Sequence, residues 1–216
     1  MTEITPAELY DILYAYYGEL GWWPAKTPYE MMVGAILTQN TAWRNVERAL
    51  ANFNQQHPLT PQFVETVSMD TLMQIIMPAG FFNQKAQYIK ELTAWFKLYD
   101  YCAENLKSIP MEILRRELLA IRGVGEETAD SILLYALDKP SFVIDAYTKR
   151  ILSRLSVDVV LKYKHMQQWF ESQLPQAVSL YNNFHACIVN VCKEFCTVNP
   201  QCSGCPLLKI CRHNLS

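Results

Sequence analysis

Four cysteines close to the C-terminus, Cys196-x5-Cys202-x2-Cys205-x5-Cys211, are spaced as ligands of one metal centre. Pro200, Gly204 and Pro206 interrupt the run, so a compact loop around the bound group is expected. Two centres satisfy four thiolates: a 4Fe-4S cluster and a structural zinc. Zinc sites usually pair two C-x2–4-C units, and this segment has one. Cys192 stands one helical turn before Cys196 and competes with it for the first ligand position. Cys196 is preferred, because Thr197–Gln201 then forms a proline-containing turn. Five of the seven cysteines fall within 192–211, a clustering that in a cytosolic protein signals metal before disulfides. Cys102 and Cys187 read as small buried hydrophobes.

Two further features carry chemistry. In Leu119–Ala129 the glycines Gly123 and Gly125 sit between two helical patterns, with Glu126-Glu127-Thr128 following. Glycines there allow positive φ and close approach of another backbone. The amides after the turn stand at a helix N-terminus and favour a phosphate. An ordinary tight turn between helices accounts for the same residues. Twenty residues on, Asp145 closes the apolar run Phe142-Val143-Ile144 and opens an amphipathic helix. A helix N-cap and a reactive carboxylate are its two readings. The histidines His57, His165, His185 and His213 show no ligand spacing and are assigned no chemistry.

The elements that must position these residues are helical almost throughout. Pro6 and Pro28 each open a helix, and Thr41 is read as the N-cap of a third carrying Val46, Leu50 and Phe53. Short helices are expected near 60–67 and 69–76. Pro78-Ala79-Gly80 then breaks the chain before a long helix bearing Ala86, Ile89, Leu92 and Phe96. Pro110 is placed at N1 of the helix that enters the hairpin, and Thr128–Leu137 leaves it. Ser141–Ile144 is extended, with helices near 146–155, 163–173 and 177–195. The fold class is all-α, without internal repeats. Half the residues are hydrophobic, 19% are charged and the net charge is −2. That balance argues against a strongly basic nucleic-acid binder but leaves room for a local basic face. No run reaches membrane-spanning length and no secretory signal opens the chain, so a cytoplasmic location is expected.

In order, the Gly123–Asp145 segment and the cysteine cluster resemble the endonuclease III branch of the helix-hairpin-helix DNA glycosylases. Leu37-Thr38-Gln39-Asn40-Thr41 and Gly80-Phe81-Phe82-Asn83-Gln84-Lys85-Ala86 match as well. The resemblance runs from about residue 20 to residue 211. It implies two helical domains, 23–135 with the hairpin, and 1–22 with 136–216 including the cluster loop 195–212. Damaged double-stranded DNA would lie between them, bound by a monomer associated with the nucleoid. It further implies a catalytic Asp145, a gap-filling Gln39 or Asn40, and DNA contacts from Gly123, Gly125, Thr128 and Lys149. A 4Fe-4S centre would staple the tail and direct Lys209 and Arg212 towards phosphate.

Bifunctional members carry a lysine where this chain has Glu127, and a carboxylate forms no imine with a sugar. Lys85, Lys139 and Lys149 do not occupy that position. The sequence is more similar to the endonuclease III-type 3-methyladenine glycosylases, with Trp22-Trp23-Pro24, the Leu-Thr-Gln-Asn-Thr run and Trp43. Trp22, Trp23 and Trp43 are then base-pocket candidates, since aromatic faces attract the cationic alkylated purine. Core packing of tryptophan is the competing account. The expected activity is monofunctional release of alkylated purines such as 3-methyladenine. Removal of oxidised pyrimidines, removal of adenine opposite oxidised guanine, and a non-enzymatic damaged-DNA-binding module are the alternatives. Glu127 weighs against the first, the short sequence after Cys211 against the second, and Asp145 against the third.

Overall fold

The computed structural model describes residues 3–21, 25–155 and 157–214, with the backbone alone at 54–56 and 214. The chain forms α1 (Pro6–Tyr17), α2 (Pro28–Leu37), α3 (Trp43–Gln56), α4 (Pro61–Thr66), α5 (Met69–Ile76) and α6 (Phe82–Lys97). It continues through α7 (Ala103–Lys107), α8 (Met111–Ala120), α9 (Glu126–Ala136), α10 (Ala146–Arg154), α11 (Tyr163–Glu171) and α12 (Val178–Glu194). Among the described residues the only extended pairing is an isolated antiparallel bridge between Leu155 and Cys211. The fold is all-α, and no described helix is long and apolar enough to cross a membrane. Residues 23–139 form one compact unit; residues 1–22 and 140–216 form the other.

In the unit of residues 23–139, α2 is the central rod. Tyr29 to Leu37 are all buried, as expected for a helix apolar on every side. Helices α9 and α6 pack on α2, α8 packs on α9, and α4 and α5 pack on α6. Tyr29 stacks on Phe96 at 5.9 Å, and its hydroxyl meets Thr93 Oγ1 at 2.6 Å. Two local expectations are corrected and one helix is added. Ala42, not Thr41, is the N-cap of α3, and it makes no side-chain cap bond; Thr41 Oγ1 instead accepts from Asn45 Nδ2 at 3.2 Å. Pro110 is the N-cap of α8 rather than its first residue. The short helix α7 lacked a periodic apolar pattern long enough to announce it.

In the other unit α1 packs along α12, and α10 packs on α12 as well. Thr5 and Glu8 close a capping box at the start of α1, with Thr5 Oγ1 accepting from Glu8 N and Glu8 Oε2 accepting from Thr5 N. The extended segment Ser141–Ile144 is wholly buried. Phe142 lies flat on Phe170, ring centroids 3.9 Å apart, and edge-on to Tyr181 and Phe184. An extended strand without a sheet needs partners for its backbone. Helix α11 supplies them: Phe142 N donates to Glu171 Oε1 at 2.8 Å, and Gln167 Nε2 donates to Phe142 O at 3.0 Å. These bonds hold the strap that ends at Asp145.

Replacing Gln167 with Leu keeps the volume and strips the donor from a buried carbonyl. The variant is expected to lose about 1–3 kcal/mol of stability, read as a lower midpoint in urea unfolding.

Candidate functional site

Asp145 stands where the buried strap becomes α10. Its Oδ1 accepts from Thr148 N at 2.7 Å and from Thr148 Oγ1 at 2.9 Å, so it is the N-cap of the helix. Its Oδ2 takes no part in the cap and faces His185 Nε2 on α12 at 3.4 Å. The two readings of Asp145 are therefore compatible, since one oxygen serves the helix and the other is turned away from it. Burial acts to raise the pKa of this carboxyl. The electrostatic attraction of His185 and the two bonds from Thr148 outweigh it, and the group is held below the ordinary aspartate value. His185, 4% exposed, was given no role from sequence, because no residue spacing links α12 to α10. Lys149 follows on α10 with Nζ 5.9 Å from the Tyr163 ring centroid.

The hairpin joins α8 to α9 through Ile121–Gly125. Gly123 has φ of 80° and Gly125 does not have positive φ, so only one of the two glycines is needed for its torsion. A Cβ on Gly123 would fall inside the ring of Tyr88, whereas one on Gly125 would meet nothing within 4 Å. The close neighbour is thus a side chain on α6 rather than another backbone. Arg115 on α8 pairs with the fully buried Asp130 on α9 through Nε at 2.8 Å and Nη2 at 3.0 Å. This fork fixes the two helices against each other. Gly125 gives α9 no side-chain cap, and Glu126 and Glu127 are exposed in the first turn. Thr128 is 7% exposed, its hydroxyl accepting from Gln39 Nε2 at 3.0 Å.

At the end of α2 the chain turns through Thr38–Asn40. Gln39 points to the hairpin, Nε2 donating to Gly123 O at 2.9 Å as well as to Thr128. Asn40 is exposed and has φ of 51°. Lys85 is 2% exposed, and its Nζ donates to Leu37 O and to Ala79 O, each at 2.9 Å. Burial brings this ammonium down to about 8. Trp43 is half-buried and donates from Nε1 to Glu47 Oε1 at 3.0 Å. Trp22 and Trp23 lie outside the described residues.

Cys196, Cys202, Cys205 and Cys211 line one pocket with Ile151, Leu155 and Leu207. Cys192 is not part of that lining; it is buried on α12 with Sγ 3.5 Å from Tyr147 O. Arg154 Nη1 donates to Cys196 Sγ at 3.0 Å and to Thr197 O at 2.9 Å. The Cys192 thiol and the Arg154 guanidinium hold Cys196 towards the thiolate. Among the described residues no three His, Cys, Asp or Glu side chains stand close enough to share one ion. Lys209 and Arg212 are exposed on the same loop.

The HhH-GPD superfamily of base excision DNA repair proteins matches residues 33–176. A Methanocaldococcus jannaschii protein provisionally named a DNA repair glycosylase is 48% identical over 207 residues, which cover 94% of each chain. The thymine-DNA glycosylase of Aeropyrum pernix is 28% identical over 206 residues, covering 92% of this chain and 89% of its own. Among solved structures, the H. pylori 3-methyladenine DNA glycosylase bound to 1,N6-ethenoadenine superposes with a TM-score of 0.78. It is 26% identical, over 88% of this chain and 98% of its own.

Substitution of Gly123 by Ala sets a methyl group against Tyr88 and keeps an L residue at positive φ. Binding to undamaged duplex is expected to weaken, with a lower melting temperature. The Tyr88→Ala, Gly123→Ala double variant relieves the clash and leaves the torsional cost of about 1 kcal/mol, so it should recover part of the loss. Equal losses with and without Tyr88 would place the cost elsewhere.

Proposed function

The chain belongs to the HhH-GPD superfamily of base excision DNA repair proteins, and from that premise we propose that this DNA glycosylase is monofunctional and hydrolyses the N-glycosidic bond of alkylated purines such as 3-methyladenine. The observation that carries the catalytic part is the divided carboxylate of Asp145, one oxygen capping α10 and the other outside the cap, ionised at neutral pH. Departure of the base leaves positive charge on the deoxyribose, which a carboxylate stabilises. The same oxygen accepts a proton from the attacking water. The target nucleotide must leave the stack first, and the exposed Asn40, already in a left-handed conformation, is suited to occupy the gap. The uncapped N-terminus of α9 at Gly125 offers contacts to the DNA backbone.

Monofunctionality rests on the amines. The position after the hairpin holds the exposed Glu127. Lys85 Nζ is buried between two carbonyls, Lys139 Nζ donates to Lys107 O, and Lys149 Nζ lies over Tyr163. Burial withholds Lys85, and neither Lys139 nor Lys149 occupies the motif position. The choice of substrate draws on the likeness to the H. pylori enzyme and on the aromatic residues Trp22, Trp23 and Trp43. An alkylated purine is cationic and already a good leaving group, so aromatic faces and one carboxylate suffice.

The metal loop fits a 4Fe-4S cluster. Four thiols lining a common pocket suit one thiolate per iron, and the single C-x2-C unit departs from the paired units usual in zinc sites. Cys196, Cys202, Cys205 and Cys211 would hold it, and it would supply structural cross-linking of the tail; glycosidic hydrolysis transfers no electrons.

Two experiments test this reading. Duplexes carrying 3-methyladenine should release base and show strand breaks only after alkali or heat. Asp145→Asn should bind the same duplex and release base more slowly by on the order of a hundredfold or more. Breaks without alkali would restore lyase chemistry, and release from a G·T mismatch alone would move the substrate towards that of the Aeropyrum pernix relative. For the metal, protein purified without oxygen should contain iron and acid-labile sulfide. Cys192→Ala should retain both and Cys196→Ala should lose them, while stoichiometric zinc without sulfide would overturn the cluster.

A further inference from the structure

Gln39 and Asn40 are the two gap-filling candidates of the sequence, yet the Gln39 amide is committed within the protein. Its Nε2 donates to the carbonyl of Gly123, the hairpin residue at positive φ, at 2.9 Å. The same nitrogen donates to Thr128 Oγ1, in the first turn of the helix that follows, at 3.0 Å. Both amide hydrogens therefore have acceptors on the two sides of the turn, and the side chain is only partly exposed.

The mount beneath Gln39 is stiff. Helix α2 is buried from Tyr29 to Leu37, and Lys85 takes up the carbonyl of its last residue, Leu37. Thr38 N closes on Gly34 O at 2.9 Å, so the turn carrying Gln39 begins from a fixed point. The Tyr88 ring also stands close to Gly123, where a Cβ would fall 2.2 Å from it. The hairpin thus meets both a ring on α6 and an amide after α2. We infer that Gln39 is a positioning residue that sets the hairpin for binding the DNA backbone, leaving the gap in the duplex to Asn40. The inference rests on the reading of the hairpin as a backbone-binding element.

The two roles separate in a binding experiment. Backbone contacts carry no information about the lesion, so misplacing the hairpin weakens damaged and undamaged duplexes by one factor. A residue that fills the gap acts only where a nucleotide has left the stack. Fluorescence anisotropy with the full protein would compare an undamaged duplex with the same duplex bearing a tetrahydrofuran abasic analogue. Gln39→Met removes both donors at similar length and should weaken the two complexes equally, by about three- to tenfold, as expected for hydrogen bonds of this kind. Asn40→Ala should weaken the tetrahydrofuran complex alone. Thr128→Val, which deletes one acceptor, should produce a smaller uniform loss, and its effect should not add to that of Gln39→Met. If Gln39→Met fails to fold, Thr128→Val decides with the same two duplexes. Loss confined to the tetrahydrofuran duplex in Gln39→Met, or wild-type binding of both duplexes by Thr128→Val, overturns the inference. Uniform loss in Gly123→Ala but none in Gln39→Met would keep the hairpin as a binding element and refute the tether alone.

Discussion

A carboxylate taken out of water must be given partners, and the arrangement around Asp145 follows from that requirement. Its charge survives burial because Thr148 offers two donors to one oxygen and His185 faces the other. The helix that provides Thr148 must start at Asp145, and the chain before it must arrive extended. The strap Ser141–Ile144 does so in the interior, where α11 answers its backbone groups with Gln167 and Glu171. One ionised group thus dictates the placement of three helices and the segment between them.

The same device recurs wherever an irregular piece of backbone is held. Lys85 ties the end of α2 to the turn at Ala79, Gln39 ties the next turn to the hairpin, and Arg150 and Arg154 reach the carbonyls of Cys196 and Thr197. In each case a long polar side chain satisfies carbonyls that no neighbouring strand can reach. An all-α protein has no sheet to organise its loops. Side chain to backbone bonds take that place.

Much of this was legible in the sequence, for identifiable reasons. Helices announced themselves through apolar spacing and through proline at their starts, and the all-α class needed no more. That the four cysteines share one pocket was legible because their separations along the chain are short. The hairpin was legible as glycines between helices, but its physics was not. Gly123 is required by Tyr88, thirty-five residues earlier, and Gly125 carries no torsional demand. His185 was invisible because its meaning comes from Asp145, on another helix forty residues away. The commitment of Gln39 was hidden for the same reason, its partners lying beyond residue 120. Trp22 and Trp23, read as pocket residues, fall outside the described part of the chain. Patterns of period 3.6 report what a helix buries, not which polar atom it meets across the core.

The two compact units differ in how the chain composes them. Residues 23–139 are contiguous, so that unit holds all of its own core once about its last helix has emerged from a ribosome. The other draws on residues 1–22 and 140–216, and α1 packs on α12. At ordinary rates of synthesis α12 follows α1 by roughly ten to thirty seconds. During that interval the apolar face of Leu9 and Leu13, buried in the finished protein, has no partner of its own. Of the two helices, the one made earlier waits for the one made later, and its apolar face stays uncovered until α12 follows.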